Sequence, residues 1–288
     1  MIHDKIKINT LHNAIFLILR GIDNGMEDLK VTWVQTELAW EDPAVNLERF
    51  RELLEPVEDT DLILLPEMFN TGFSINPERC AEPPGGPSSR FLREVAREKQ
   101  CAVAGSLITR EQGHHFNRLH FYFPDGTLEI YDKRHLFRLS EEYKIFRGGD
   151  RKKIISYKGW KILPLVCYDL RFPVWSKNRY MNGEYEYDFL FYLSNWPDSR
   201  SHVWRSLLLA RAIENQAYVA GVNRIGEDGF GTWHSGGSLV AGPKGTIISE
   251  TEPGIPSVQT AVLNHSELQL YRDSFTVGMD WDQFTINP

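Results

Sequence analysis

From Leu29 onward the chain alternates short apolar runs, rich in β-branched and aromatic residues, with stretches of helical period. This alternation constrains the fold most, because strands joined by helices form layered α/β structures. The opening βαβ unit comprises strand Val31–Gln35, a helix from Asp42 to about Leu54 and strand Asp61–Leu65. No linker or low-complexity segment follows. We therefore expect residues 26–288 to form a single domain.

The same periodicities predict the remaining helices and strands. The predicted helical stretches are Pro87–Lys99, Val174–Met181 and Ser201–Asn215, and the predicted strands are Ala102–Ile108, Leu119–Phe123, Thr127–Tyr131, Lys153–Tyr157, Trp160–Val166, Phe189–Leu193, Tyr218–Asn223, Gly237–Ala241 and Thr246–Glu250. Two sheets with outer helices fit this order. One doubly wound sheet is the alternative, because periodicity does not show how strands pair.

Composition excludes some classes of partner. The 288 residues are 42% hydrophobic, which is enough for one large core. The formal net charge is −7, without a block of lysine or arginine, so a nucleic-acid partner is not expected. Cys80, Cys101 and Cys167 show no C-x-x-C spacing, which indicates a reducing compartment such as the cytoplasm and no structural zinc site.

The N-terminal segment does not resemble the rest. Its apolar run, Ala14–Leu19, is far shorter than the roughly 20 residues that span a bilayer, so we expect no membrane association. Arg20 follows directly, unlike the end of a signal peptide. We interpret residues 1–25 as an appendage that is not necessarily native, and Met26 as a candidate start.

Three reactive side chains follow predicted strands. Glu67 comes after strand Asp61–Leu65, Lys133 after strand Thr127–Tyr131 and Cys167 after Val166. Loops at strand ends carry much of the chemistry of α/β folds. Taken singly, each residue has an ordinary interpretation: a capping carboxylate, a solvated ammonium or a small buried hydrophobic residue.

Three motifs together resemble the nitrilase superfamily of carbon–nitrogen hydrolases, over about residues 29–264. They are Leu65-Pro66-Glu67, Asp132-Lys133-Arg134-His135-Leu136-Phe137 and Cys167-Tyr168-Asp169-Leu170-Arg171-Phe172-Pro173. Ala210–Gln216 is similar to the helix after the nucleophile strand. The resemblance implies a four-layer α-β-β-α sandwich, a homodimer joined through helices, and no metal or organic cofactor.

Within the superfamily, three segments look most like the ω-amidase branch, which acts on 2-oxoglutaramate and related 2-oxo amides. These segments are Glu67–Phe73, Lys133–Phe137 and Ser194-Asn195-Trp196-Pro197. The resemblance implies release of ammonia from 2-oxoglutaramate or 2-oxosuccinamate through a cysteine thioester. Another linear amide, a nitrile or an N-carbamoyl amine remains possible as substrate, as does a catalytically silent binding module.

Carried over by position, the family triad falls on Glu67, Lys133 and Cys167. The second glutamate of the family falls on Glu142, with the neighbouring Glu141 as the alternative. In this chemistry one carboxylate moves the proton, and the lysine, with the backbone N–H of Tyr168, stabilises the oxyanion.

The substrate pocket is predicted from residues beside the motifs. Arg171 has two equal interpretations: an ion pair that shapes the pocket or a contact with a substrate carboxylate. Asn195 follows a strand and is a candidate substrate contact. The aromatic candidates for the pocket wall are Phe69, Phe137, Tyr168, Phe172, Trp175 and Trp196.

A metal-dependent phosphodiesterase with a layered sandwich is a competing prediction. It requires clustered Asp, Asn and His ligands at strand ends. Asp169, Asn195 and His234 are scattered along the chain, and neither His135 nor the adjacent pair His114-His115 has metal-ligand spacing. We therefore predict no metal site.

Overall fold

The computed structural model describes residues 27–286. The interpretation of residues 1–25, and of Met26 as a start, lies outside this range. The strands are β1 (Leu29–Gln35), β2 (Leu62–Leu64), β3 (Ala102–Glu111), β4 (His114–Tyr122), β5 (Leu128–Asp132), β6 (Ile155–Tyr157), β7 (Trp160–Val166), β8 (Tyr180–Met181), β9 (Glu184–Tyr185), β10 (Phe189–Ser194), β11 (Tyr218–Asn223), β12 (Ile225–Glu227), β13 (Trp233–Ser235), β14 (Leu239–Ala241), β15 (Ile247–Glu250) and β16 (Ser257–Leu263).

The α-helices are fewer than the strands in this part of the chain. They are α1 (Pro43–Leu54), α2 (Pro77–Cys80), α3 (Pro87–Lys99), α4 (Glu142–Ile145), α5 (Pro173–Ser176), α6 (Ser201–Asn215) and α7 (His265–Ser274). Single 3₁₀ turns occupy Arg138–Ser140, Cys167–Arg171, Asp198–Arg200 and Val277–Asp280. Within residues 27–286, no helix has the length and apolarity to cross a bilayer.

Two six-stranded sheets form the centre of the fold. The first has the order β16-β1-β2-β3-β4-β5 and the second the order β15-β14-β11-β10-β7-β6. In each, three adjacent strands are parallel and the outer strands are antiparallel: β1, β2 and β3 in the first sheet, and β7, β10 and β11 in the second. Two separate sheets therefore form, rather than one doubly wound sheet.

The alternation of side chains along the strands divides the core into layers. On β1, Trp33 belongs to the large cluster that joins both sheets, whereas Val34 belongs to a second cluster with Phe50 of α1. On the other side, α6 packs so closely on β11 that a Cβ at Gly221 would lie 2.4 Å from Leu208. The order is thus helix, sheet, sheet, helix, as expected for the nitrilase-type sandwich.

The structure corrects two sequence-based predictions. The prediction of a helix over Val174–Met181 is wrong, because helix α5 ends at Ser176 and a β8–β9 hairpin follows. Its turn, Asn182-Gly183, has positive φ at both residues (55° and 85°), the conformation that this pair favours in two-residue hairpins. The second correction concerns Ala210–Gln216, which covers the end of α6 and the residue after it. This helix follows β10 rather than β7, the strand that precedes Cys167. The β12–β13 hairpin, β16 and α7 were not predicted.

Candidate active site

The three reactive residues that follow strands meet at one end of the two sheets. The Lys133 ammonium donates to Glu67 Oε1 at 2.9 Å, and both side chains are almost fully buried. Cys167 follows β7 of the opposite sheet and lines the same cavity as Glu67 and Lys133. Residues distant in sequence are therefore brought together by the pairing of the sheets.

Glu142, rather than Glu141, completes the buried charge network. Lys133 Nζ lies 3.1 and 3.0 Å from the two carboxylate oxygens of Glu142, which has no exposed surface. The backbone N–H of Phe137 also donates to Glu142 Oε2, at 2.5 Å. The Glu141 side chain is 60% exposed and pairs with Lys144. One lysine thus lies between two carboxylates.

This arrangement keeps Lys133 charged. Burial lowers the pKa of an ammonium, but the adjacent carboxylates of Glu142 and Glu67 outweigh it and raise the pKa of Lys133 above its usual value. Burial also raises the pKa of Glu142, and Glu67 adds to that rise while Lys133 opposes it. The ammonium is therefore a permanent positive charge beside the thiol.

The backbone at Cys167 has a strained conformation. Its φ is +40°, a region that residues other than glycine seldom occupy and that is frequent at functional sites. The turn is held by Asp169, whose carboxylate accepts from the backbone N–H of Val166 at 3.1 Å and from the Tyr131 hydroxyl at 2.7 Å. Cys167 Sγ consequently lies 3.9 Å from the carbonyl oxygen of Asn195.

The Cys167 side chain is a neutral thiol. Burial and the nearby Glu67 carboxylate raise the pKa of Cys167 well above its usual value, although Lys133 acts in the opposite direction. A base must therefore remove the proton during the reaction. Glu67 is a buried carboxylate that borders the same cavity as this thiol.

The cavity above Cys167 has a volume of about 410 Å³. Five of the predicted pocket residues line it: Phe137, Tyr168, Arg171, Asn195 and Trp196. The Phe137 and Tyr168 rings pack edge to face, with centroids 5.1 Å apart. The Arg171 guanidinium lies over the Trp196 ring, 4.9 Å from its centroid. This is the size of a small-molecule site.

Phe69, Phe172 and Trp175 do not line this cavity, so the prediction is wrong for these three. Phe69 packs in the core beneath α1 and α3, within the turn at residues 67–70 that follows β2 and in which Met68 has a positive φ (44°). Phe172 stacks on His135 with centroids 3.7 Å apart, and Trp175 Nε1 donates to the Tyr131 hydroxyl. These rings support the nucleophile turn from behind.

A buried lysine between two glutamates, next to a cysteine at a strand end, agrees with the similarity of the whole chain to known proteins. The sequence model of the family described as carbon-nitrogen hydrolase matches residues 30–273. The chain belongs to this family. Among solved structures, a CN-hydrolase superfamily protein of Xanthomonas campestris, XC1258, has a TM-score of 0.89 and 38% identity; the match covers 91% of this chain and all of that one.

Similar proteins place this carbon–nitrogen hydrolase in the ω-amidase branch of the nitrilase superfamily, and it is an amidase. The proteins named omega-amidase YafV of Yersinia enterocolitica and Escherichia coli K12 are 42% and 41% identical, over 91% of this chain and their full lengths. The 2-oxoglutaramate amidase of Bacillus subtilis is 29% identical, over 83% of this chain and 93% of its own.

Two functional positions of this carbon–nitrogen hydrolase were missed from the sequence. Asn117 Nδ2 donates to Glu67 Oε1 at 2.8 Å and lies 3.3 Å from Glu142 Oε1, so it fixes both carboxylates. The signal was its place in β4, where alternation puts Asn117 on the same face as the core residues Leu119 and Phe121. Arg200, which precedes α6, also lines the cavity.

Asn195 contacts the proposed base as well as the cavity. Its backbone N–H donates to Glu67 Oε2 at 2.9 Å, and its side-chain amide donates to the Glu67 carbonyl oxygen at 2.5 Å. With Asn117 and Lys133, this gives the Glu67 carboxylate three donors. The carboxylate is therefore held in one orientation before substrate binds.

Two of the residues considered for a metal site have other partners. Asp169 is engaged by Tyr131 and the backbone of the nucleophile turn, and His234 Nδ1 lies 3.3 Å from the Gly226 carbonyl oxygen. Burial, reinforced by Arg224, lowers the pKa of His234 to about 4. Residues 27–286 contain no group of three or more His, Cys, Asp or Glu side chains arranged to hold a metal ion.

Proposed function

We propose that this amidase releases ammonia from a small 2-oxo acid ω-amide, 2-oxoglutaramate or 2-oxosuccinamate, through a thioester on Cys167. The observation that carries the proposal is the position of Lys133, which lies between the Glu67 and Glu142 carboxylates and borders the same cavity as the thiol. The names of the similar ω-amidases and of the B. subtilis 2-oxoglutaramate amidase support the choice of substrate.

In the first half-reaction, the amide is converted to an acyl-enzyme. Glu67 accepts the thiol proton while Cys167 Sγ forms a bond to the amide carbon. The resulting oxyanion is stabilised by the Lys133 ammonium and the backbone N–H of Tyr168. Glu67 then returns the proton to the amide nitrogen, the C–N bond breaks, and ammonia leaves.

In the second half-reaction, water hydrolyses the thioester. Glu67 takes a proton from the water as its oxygen attacks the acyl carbon, and Glu142 helps to orient that water and holds Lys133. When the C–S bond breaks, Glu67 returns the proton to the sulfur and the 2-oxo acid is released. Groups of the chain and one water thus account for every proton.

Arg171 is assigned to the carboxylate of the substrate. Within residues 27–286, no carboxylate oxygen lies within the 4.0 Å of an ion pair from its guanidinium, so an internal ion pair has no support there. Its place on the Trp196 ring, in the cavity wall, leaves the charge available to an anionic substrate. This favours the substrate contact over the structural alternative.

We extend the proposal to the whole protein. Residues 26–288 form a single carbon–nitrogen hydrolase domain that works as a homodimer in the cytoplasm. The family match over residues 30–273 and the core cluster shared by both sheets support the single domain. The free thiols of Cys80, Cys101 and Cys167 support a reducing compartment.

Ammonia release tests the proposal directly. Wild-type protein and Cys167→Ala are each supplied with 2-oxoglutaramate, glutamine, asparagine and a simple nitrile, with and without chelator. We expect release from the 2-oxo amide that survives chelator and falls by at least about 10⁴-fold in Cys167→Ala. Release from the nitrile or another amide alone would reassign the substrate, and unchanged release in Cys167→Ala would reject the nucleophile.

A further inference from the structure

Two arginines share one wall of the cavity, and each lies over an aromatic ring of the same wall. The Arg171 guanidinium carbon is 4.9 Å from the Trp196 ring centroid, and that of Arg200 is 5.6 Å from the Phe137 centroid. Stacking on a ring orients a guanidinium and leaves its edge with five N–H donors for planar acceptors. The sequence motifs account for Arg171 but not for Arg200.

Neither arginine is neutralised by the part of the protein that the structure describes. Between residues 27 and 286, neither guanidinium has a carboxylate oxygen within 4.0 Å. The acidic residues of the cavity have other partners. Glu67 accepts from Lys133, and Asp228 accepts from the backbone N–H groups of Phe230 and Thr232. The two positive charges are therefore available to a ligand.

Trp196 links the two arginines structurally. Its ring lies under Arg171, and its Nε1–H donates to the carbonyl oxygen of Arg200 at 2.8 Å. The Arg200 backbone N–H in turn donates to the Pro197 carbonyl oxygen at 3.0 Å. Arg200 also immediately precedes the 15-residue helix α6. The backbone that carries Arg200 is thus fixed relative to Arg171.

Cys167 borders the same cavity as the two arginines, and the cavity volume of about 410 Å³ is large enough for a short dicarboxylic acid amide. The four C–C bonds of a 2-oxoglutaramate chain span about 5 Å when extended. A chain of this length with its amide carbon at Cys167 extends its 2-oxo acid end into the cavity that both arginines border.

We propose that Arg200 is a specificity-determining residue that recognises the 2-oxo group, while Arg171 binds the adjacent carboxylate. A 2-oxo acid presents ketone and carboxylate oxygens side by side, which suits two guanidiniums acting together. An amino acid amide such as glutamine instead presents an ammonium, which two arginines repel. The inference rests on the proposed function and extends it to the group at C2 of the substrate.

Kinetics on matched substrates tests the role of Arg200. The ratio of kcat/KM for 2-oxoglutaramate to that for glutaramate, the same amide without the ketone, is measured in wild type and Arg200→Gln. We expect this ratio to fall about 10- to 100-fold in the variant, mainly through KM, as for the loss of a charge-assisted hydrogen bond. Arg205→Gln is the control: Arg205 lies on α6, the helix that follows Arg200, pairs with Glu250, and should leave the ratio unchanged. An unchanged ratio in Arg200→Gln would overturn the inference.

A binding measurement separates this inference from the proposed activity. Calorimetric titrations of Cys167→Ala and of Cys167→Ala with Arg200→Gln use 2-oxoglutarate and glutarate, which carry no amide. We expect the second substitution to weaken 2-oxoglutarate binding at least about tenfold more than glutarate binding. If this result is obtained but the wild type releases no ammonia from 2-oxoglutaramate, the proposed function is rejected and the inference is kept. If the second substitution weakens the binding of 2-oxoglutarate and glutarate equally while the wild type is an active amidase, the inference is rejected and the proposed function is kept.

Discussion

The two ends of the cavity treat charge in opposite ways. At the reacting end, Glu67, Lys133 and Glu142 are at most 1% exposed and every charge has an opposite partner. At the recognition wall, Arg171 and Arg200 are half-buried, stacked on rings and without a carboxylate partner in the described residues. Pairing fixes geometry and offsets desolvation, whereas an unpaired cation remains available for a ligand. We propose that catalysis uses the first arrangement and substrate selection the second.

Removing the central cation breaks the reacting end most severely. Lys133→Met leaves two buried carboxylates facing each other, and we expect a loss of about 3–5 kcal/mol in the free energy of unfolding and about a thousandfold in kcat. Urea denaturation and ammonia release measure the two effects. Arg171→Met, at the recognition wall, should leave the unfolding free energy within about 1 kcal/mol. A similar loss of stability in both variants would remove the contrast between the two ends.

The same variant should show a characteristic dependence on pH. The pKa of Glu142 is already raised by burial, and Lys133 is the group that opposes that rise. Without the lysine the carboxyl is more easily protonated in the folded state than in the unfolded chain. Stability is then highest at low pH and is lost as pH rises through the folded-state pKa. When the pH is lowered from 8 to 5, the free energy of unfolding of Lys133→Met should therefore rise relative to that of wild type.

Substitution of the second glutamate sharpens the comparison, because a neighbouring glutamate supplies a matched control. Glu142→Gln should lower kcat about a hundredfold with little change in KM, since it weakens the hold on Lys133 while the side-chain oxygen of glutamine still accepts from the Phe137 backbone N–H. Glu141→Gln should be indistinguishable from wild type, as expected for a side chain that is 60% exposed. Comparable losses in the two variants would contradict the assignment of Glu142.

The protonation state of the thiol gives a second measure of the reacting end. Because the pKa of Cys167 is raised, the thiolate is a minor species at neutral pH. Its modification by methyl methanethiosulfonate should accelerate roughly tenfold per pH unit from pH 6 to pH 8, followed by intact-protein mass. Cys167→Ala reports any reaction of the buried Cys80 and Cys101. A rate that is already constant over this range would indicate a preformed thiolate and contradict the role of Glu67.

The smallest effect is expected at the mouth of the cavity. Phe230 lines the opening but is 61% exposed, and its ring contacts Trp40 with centroids 5.1 Å apart. Phe230→Ala should change KM no more than about threefold and leave kcat unchanged, since little apolar surface is lost. A large loss in kcat would mean that this loop closes over the substrate, and would extend the recognition wall to the β12–β13 hairpin.

The sequence was more informative about the reacting end than about the wall. Glu67, Lys133 and Cys167 follow strands within recognisable motifs, so both their positions and their convergence were predicted. Asn117 was missed because it lies within a strand, where its buried amide has no motif. Arg200 was missed because its contact with Phe137 depends on how distant segments meet.

Local backbone conformation explains the other differences between prediction and structure. The motif favoured Glu142 and left Glu141 as the alternative, and the left-handed conformation of Glu141 (φ 64°) at the start of α4 separates their side chains. The positive φ of Met68 turns Phe69 into the core in the same way. The Asn182-Gly183 turn carried a hairpin signal that the helical interpretation of this segment overlooked.

The most direct test of the account is to trap the acyl-enzyme. Wild type, Glu142→Gln and Cys167→Ala are mixed with 2-oxoglutaramate, quenched in acid within milliseconds and examined by intact-protein and peptide mass spectrometry. We predict an adduct with the mass of the substrate minus ammonia on the peptide that contains Cys167, more abundant in Glu142→Gln and absent from Cys167→Ala. Rapid ammonia release without any adduct, and with Cys167→Ala still active, would contradict the account.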